Sequence, residues 1–181
     1  MEESTASEGN AFNLEFDSSR MNGKILVAYF SASGETRHLA KTLSKAIDAD
    51  LYEIEADPAY STADLDWTNK RSRSSLEHAD PGIRPRIAKP VDGMDAYDAV
   101  LVGYPIWWGD APNIIRTFLE SYDFSGKTVV TFATSGGSVS GSDGSKLHGC
   151  CSDETSWKKG RLWSPNAKAD ELREWVESLD L

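Results

Sequence analysis

The chain has 181 residues, of which 39% are apolar, 10% aromatic and 27% charged. That is one globular domain of ordinary size, large enough to hold a core without disulfides or metal. Acidic side chains outnumber basic ones 29 to 19, for a net charge of -10, which argues against nucleic-acid and anionic-membrane partners. No apolar run exceeds about six residues, far short of a membrane span. Cys150 and Cys151 are adjacent, which excludes a disulfide framework and a zinc site built from separated cysteine pairs.

Residues 1–21 are acidic and polar and read as a flexible tail, with a short strand over Ala11–Phe16 as a lesser expectation. The folded domain is then 22–181. The tail has no apolar segment of the signal-peptide kind, so the expected compartment is the cytoplasm. The alternative is an exported or membrane-tethered protein, if a signal was removed before residue 1.

Ile25–Phe30 (ILVAYF) is a continuous apolar run between Asn22-Gly23 and a Ser/Gly cluster. That pattern belongs to a strand buried on both faces, as in a parallel sheet. From Thr36 the period changes, with Leu39, Leu43 and Ile47 marking an amphipathic helix. Ala49–Ile54 reads as a second, edge-like strand. Residues 56–93 are polar, with a helix expected over Thr62–His78 and an extended piece over Ile83–Ile87. Ala99–Gly103 is the next buried strand. Ile114, Ile115, Phe118, Leu119 and Tyr122 mark the next helix, and Thr128–Ala133 a further strand. A short strand around Gly160–Trp163 and a helix carrying Leu172, Trp175, Val176 and Leu179 close the chain. Trp157, Trp163 and Trp175 are expected in the core. Strands alternating with helices imply a doubly wound α/β sheet.

Ligands of such sheets bind at the carboxyl ends of the strands, where strand order reverses. Three segments sit there. Ser31-Ala32-Ser33-Gly34-Glu35-Thr36 joins a strand to a helix and is rich in small and hydroxyl residues. It reads either as an anion cradle of N–H groups and hydroxyls or as a plain helix N-cap. It matches neither the dinucleotide nor the nucleoside-triphosphate glycine motif. Gly103-Tyr104-Pro105-Ile106-Trp107-Trp108-Gly109 places two tryptophans in a loop. They either cap the core or await something that stacks on them. In Thr134-Ser135-Gly136-Gly137-Ser138, consecutive glycines allow positive φ and close backbone approach, or simply a flexible turn. Together the three describe a site for a flat phosphorylated ring, for which flavin mononucleotide (FMN) is the obvious candidate.

These residues carry a resemblance. The segments Tyr29–Thr36, Gly103–Gly109, Thr117–Lys127 (TFLESYDFSGK) and Thr134–Ser138 are similar to those of the flavodoxin-like superfamily, specifically a bacterial group of short flavodoxin-domain proteins, over about residues 24–180. The resemblance implies a five-stranded parallel sheet in the order 2-1-3-4-5, with helices on both faces and non-covalent FMN. It implies the phosphate in Ser31, Ala32, Ser33, Gly34, Glu35 and Thr36. The isoalloxazine would lie against Pro105, Ile106, Trp107, Trp108 and Gly109 and against Thr134, Ser135, Gly136, Gly137 and Ser138. Two departures stand out. Glu35 occupies a position where the family commonly has Asn, so its carboxylate must point away from the phosphate. The third loop has no aromatic residue through Gly144, which leaves the outer flavin face open or covered by Tyr60 or Trp67.

The implied function is electron transfer with a redox partner protein. The alternatives are an NAD(P)H-dependent reductase of quinones or similar small acceptors, and a flavin-free binding module on the same fold. Catalytic acids or bases are not expected, because the flavin does the chemistry. His38, His78 and His148 read as surface or locally hydrogen-bonded residues, and Cys150-Cys151 as packing. Lys70, Arg71 and Arg73 are either a solvated helix face or a contact for NADPH or a reductase.

Overall fold

The computed structural model describes residues 23–181; the expected tail and the segment Ala11–Phe16 lie outside the described residues. Six strands and four helices follow in the order β1 (Ile25–Tyr29), α1 (Glu35–Ala46), β2 (Asp50–Glu53), α2 (Arg73–Ala79), β3 (Ala99–Pro105), α3 (Asn113–Glu120), β4 (Thr128–Thr134), β5 (Ser156–Trp157), β6 (Arg161–Leu162) and α4 (Ala169–Ser178). All pairings are parallel and the sheet order is β2-β1-β3-β4-β5, with β6 also paired to β4. This is the expected 2-1-3-4-5 doubly wound sheet.

Every residue of β1 is buried, because each face of the sheet has its own core. Ile25, Val27 and Tyr29 pack with Leu101, Phe132, Leu39, Leu43 and Val176, under α1 and α4. Leu26 and Ala28 alternate to the other face, with Val100, Val102, Ile114 and Phe118 under α3. A strand covered on both sides has no polar face to alternate, which is why its sequence reads as a continuous apolar run.

The fifth position of the sheet is divided. Ser156-Trp157 pair with Thr128-Val129, and Arg161-Leu162 with Phe132-Ala133. Between them the Thr131 hydroxyl donates to the Ser142 carbonyl (2.9 Å), and the Gly160 N–H donates to the Asp143 carbonyl (3.0 Å). The loop after β4 thus occupies the gap in the edge strand.

Two expectations are corrected. The helix expected over Thr62–His78 is confined to Arg73–Ala79. Upstream, side chains take the backbone groups that a helix needs. Asp64 Oδ2 accepts from Ser61 N (2.8 Å), Asp66 Oδ1 from Thr68 N (3.1 Å) and Asn69 Oδ1 from Arg71 N (2.9 Å). Trp157 is half-buried rather than core, with His148 tilted over it at 4.5 Å, whereas Trp163 and Trp175 are buried. The piece expected to be extended, Ile83–Ile87, is free of helix and ends in a bridge from Ile87 to Ala56. No helix among the described residues is long and apolar enough to cross a membrane.

Candidate functional site

β1, β3 and β4 end together, and their register makes Thr134 a junction. Thr134 lies opposite Pro105 in the parallel ladder, and its carbonyl accepts from Ile106 N (2.8 Å). Its hydroxyl lies 2.8 Å from the Thr36 hydroxyl in the first turn of α1. The three segments singled out in the sequence therefore meet at one edge of the sheet.

In the first loop, Gly34 is left-handed (φ 95°) and immediately precedes α1. The Ser31 hydroxyl accepts from Gly34 N (3.1 Å) and Arg37 N (3.2 Å). This one side chain does the capping. The N–H groups of Ala32, Ser33, Glu35 and Thr36 find no acceptor among the described residues. The loop's geometry is compatible with both readings: one serine caps, and four donors stay unpaired among the described residues at the positive end of a helix. Thr36 is buried. If its oxygen accepts from Thr134, its own proton is free to donate toward the loop. Glu35 is exposed in the first helical turn, a position where a carboxylate complements the helix dipole and is screened by water.

The two tryptophans divide the two readings given for them. Trp107 is half-buried and packs edge-on against Phe30 (5.6 Å) and Tyr60 (5.7 Å), so it caps the core. Trp108 is 42% exposed. It begins a two-residue turn closed by hydrogen bonds between Trp107 and Asp110 in both directions (2.9 and 3.1 Å). Trp108 (φ 49°) and Gly109 (φ 72°) are both left-handed, as a type I′ turn requires. Glycine takes that conformation without cost; a bulky aromatic takes it at about 1–2 kcal/mol. The turn is held from several sides. The Gly109 carbonyl accepts from Lys146 Nζ (2.9 Å), Arg116 pairs with Asp110 (3.1 Å), and the His78 ring stacks on Trp108 at 4.4 Å and 10°.

A cleft of about 480 Å³ opens beside the turn. Ala32 and Ser33 of the first loop line it, as do Pro105–Trp108 and, from the segment between β2 and β3, Leu65, Trp67 and Ser74.

The third loop departs from its expectation. Gly136 and Gly137 are not among the left-handed glycines, so no positive φ demands them. The turn is made by Ser135, whose hydroxyl accepts from Gly137 N (3.1 Å) and Ser138 N (2.8 Å). A Cβ at either glycine would meet nothing within 4 Å. Neither the protein's packing nor its backbone dihedrals call for glycine there, so an ordinary turn and the close approach of a ligand both fit the loop.

A buried cluster that the sequence analysis missed supports the aromatic wall. Glu77, 5% exposed, accepts from the Tyr60 hydroxyl (2.5 Å) and from Arg73 Nε (2.9 Å). Arg73 also lies 3.9 Å over the Tyr60 ring, and Tyr60 touches Phe30 and Trp107. Burial, and next the Glu77 carboxylate, push the Tyr60 phenol well above its ordinary pKa, so it stays a donor. The only signal in the sequence was the four-residue spacing of Arg73 and Glu77; the contact to Tyr60 spans 17 residues. Arg73 is therefore committed inward, and the expected basic cluster reduces to the exposed Lys70 and Arg71.

Of the other singled-out residues, only His78 touches a residue that lines the cleft. His38 is exposed, and His78, also exposed, makes the stack on Trp108. Cys150 and Cys151 are half-buried free thiols. Burial pushes both up, Cys151 to about 12, which keeps them protonated at neutral pH. The segment Thr117–Lys127 is structural. Phe118 and Phe124 are core, and Lys127 Nζ donates to the Tyr97 carbonyl (2.6 Å). Among the described residues no cluster has the composition of a metal site.

The sequence model of the Flavodoxin family matches residues 24–179, and the chain belongs to that family. Among solved structures it is similar to a protein from Bacteroides eggerthii assigned as a flavoprotein. The two are 45% identical, with a TM-score of 0.81 over 88% of this chain and 99% of that one. A protein from Bacteroides uniformis with the same assignment is 42% identical, with a TM-score of 0.78 over 87% of this chain and 99% of its own. A flavoprotein from Lactobacillus acidophilus, solved in complex with FMN, is 23% identical, with a TM-score of 0.59 over 86% of this chain and 99% of its own, and shares the fold. No curated protein matches the chain.

Proposed function

We propose that this chain is an FMN-binding redox protein that passes electrons between a donor and an acceptor protein. One observation carries the reading: in a member of the Flavodoxin family, an anion-ready loop and an aromatic cleft lie side by side at the carboxyl ends of β1 and β3. Bound FMN supplies reversible one- and two-electron chemistry. The protein's residues bind it, orient it and set its surroundings.

The N–H groups of Ala32, Ser33, Glu35 and Thr36 donate to the phosphate, joined by the Ser33 and Thr36 hydroxyls; Ser31 and Gly34 shape the loop. The loop holds no cation, so dipoles and hydroxyls carry the charge. Pro105, Ile106, Trp107, Trp108 and Gly109 form the wall for the ring, and Trp108 is offered in a strained turn before any ligand arrives. Thr134, Ser135, Gly136, Gly137 and Ser138 approach the ring's polar edge with backbone groups. No acid or base is required of the protein. The net charge of -10 steers the molecule to basic patches on partner proteins.

An NAD(P)H-dependent reductase of quinones or similar acceptors is the second reading. It is favoured by the lack of an aromatic between Thr134 and Gly144 and by the exposed Lys70 and Arg71. The flavin-free module would be favoured by a Glu35 carboxylate turned into the loop, and Glu35 is instead exposed to solvent at the loop's edge.

Titration of flavin-stripped protein with FMN tests the reading. Flavin fluorescence is expected to be quenched at a stoichiometry of about one as the ring stacks on indole, with weaker binding in Trp108→Ala and Thr36→Ala. Unquenched fluorescence at tens of micromolar flavin overturns it. Direct bleaching of the bound flavin by NAD(P)H moves the assignment from carrier to reductase.

A further inference from the structure

We propose that Trp67 is the second aromatic contact of the flavin cleft, supplied by the segment between β2 and β3 instead of the loop after β4. This rests on the FMN reading above.

Trp67 is 72% exposed, yet it lines the same cleft as Ala32, Ser33 and Trp108. An indole left in water loses most of what its burial would contribute. Its backbone is nonetheless fixed on both sides. Asp66 Oδ1 accepts from both the N–H (3.1 Å) and the hydroxyl (2.6 Å) of Thr68, bracketing Trp67. Upstream, Ser61 and Asp64 exchange hydrogen bonds at 2.8 and 3.1 Å, and the Asp64 carbonyl accepts from Ser74 N (3.0 Å), which ties the segment to α2. A turn held this way carries its ring to the cleft with little backbone left to order on binding, which favours stacking of a planar ligand.

The other candidate for the role is engaged elsewhere. The Tyr60 hydroxyl is bonded to Glu77 and its ring is covered by Arg73 and by the edges of Phe30 and Trp107. Tyr60 supports the wall from behind, and Trp67 is the aromatic that remains for the ligand. The segment Thr62–Ser72, which would otherwise be a polar connection, thereby acquires a use: it carries a ring to the cleft, where the loop after β4 supplies no aromatic side chain.

FMN titrations of the full chain, its Trp67→Ala and Trp67→Phe variants, and the indole N–H resonances in a 1H–15N spectrum test this. Trp67→Ala is expected to weaken FMN binding about tenfold, equivalent to ~1.4 kcal/mol, and Trp67→Phe to retain most of the affinity. The Trp67 indole resonance, assigned by its loss in Trp67→Phe, is expected to shift on saturation with FMN. Affinity within twofold of the parent in Trp67→Ala, or an indole resonance that stays in place at saturation, overturns the proposal. Loss of affinity without the resonance shift also overturns it, because Trp67 then acts through the fold of its segment. Failure of the parent chain to bind FMN at all is a different result and sinks the FMN reading itself.

Discussion

The turn Trp107–Asp110 and the loop Ser135–Ser140 leave neighbouring strands at the same edge of the sheet, and they are held in opposite ways. The turn is anchored from outside itself, by Lys146 on the Gly109 carbonyl, by Arg116 on Asp110, and by the stacked His78 ring. Those anchors keep a tryptophan left-handed. The loop is held mostly within itself, by the Ser135 and Ser138 hydroxyls on nearby N–H groups; the Ser140 hydroxyl at its end donates to the Gly109 carbonyl of the turn (3.4 Å), and most of the loop is exposed. The aromatic wall is thus built before a ligand arrives, while the glycine-serine side can conform to it. On the proposed FMN reading, precision would be placed where a ring must be oriented, and freedom where backbone groups must find a polar edge.

Removing the support of the wall is the strongest way to break this contrast. Glu77→Ala strips Tyr60 and Arg73 of their shared buried partner, and is expected to cost about 3 kcal/mol in urea denaturation. A cost below about 1 kcal/mol would mean that the wall stands without the cluster. Next comes the contact between the two regions. A Cβ on Gly141 would lie 2.5 Å from the Gly109 carbonyl oxygen, and Gly141 is itself left-handed (φ 83°). Gly141→Ala is therefore expected to cost about 2 kcal/mol.

Trp108→Asn sharpens the comparison, because it separates stability from binding. Asn tolerates the left-handed turn, so the variant is expected to unfold at equal or higher denaturant, with a gain of up to about 1 kcal/mol. FMN affinity is expected to fall about tenfold. Parallel losses in both measurements would show that the strain at Trp108 is not held for binding. Gly136→Ala and Gly137→Ala are the opposite control. With nothing within 4 Å of either Cβ, stability is expected to stay within about 0.5 kcal/mol, while FMN binding weakens as the backbone approach is obstructed.

The smallest effect is one of pH. Hydrogen bonds from the backbone and hydroxyl of Ser145 hold the Asp143 carboxyl below its ordinary value. A carboxyl lowered on folding contributes stability that is present above its unfolded pKa of about 3.9 and is lost as pH falls through the lower folded value. Amide exchange across 142–145 and at Gly160, which bonds the Asp143 carbonyl, is expected to quicken below about pH 4. Exchange that is flat with pH there, after correction for the intrinsic rate, would show that this end of the loop does not depend on the carboxylate.

Much of the fold was legible in the sequence because its strands are buried on both faces. Ile25–Tyr29 and Ala99–Gly103 are apolar throughout, and Thr128–Ala133 is broken only by Thr128 and Thr131; few other local structures need that pattern. The failures fell where side chains compete with the backbone. The expected helix from Thr62 gave way to turns made by Asp64, Asp66 and Asn69, whose composition is polar in either case. The fifth strand was foreseen only in its second half, because the two short pieces are joined to one position by their common neighbour β4 and not by any pattern of their own.

The sequence by itself determined the sheet, its order through the family resemblance, and the three segments at its carboxyl edge, because periodicity and strand-end position are local properties of the chain. Only the tertiary structure decided that Trp107 belongs to the core while Trp108 faces outward, that Tyr60, Arg73 and Glu77 close on one another, and that His78 stacks on Trp108. Apart from the Arg73–Glu77 pair, those contacts join residues 13 to 77 positions apart, as from Arg73 to Tyr60 and from Trp107 to Phe30. What brings them together is the packing of separate elements on one sheet, which leaves no periodic trace in either partner.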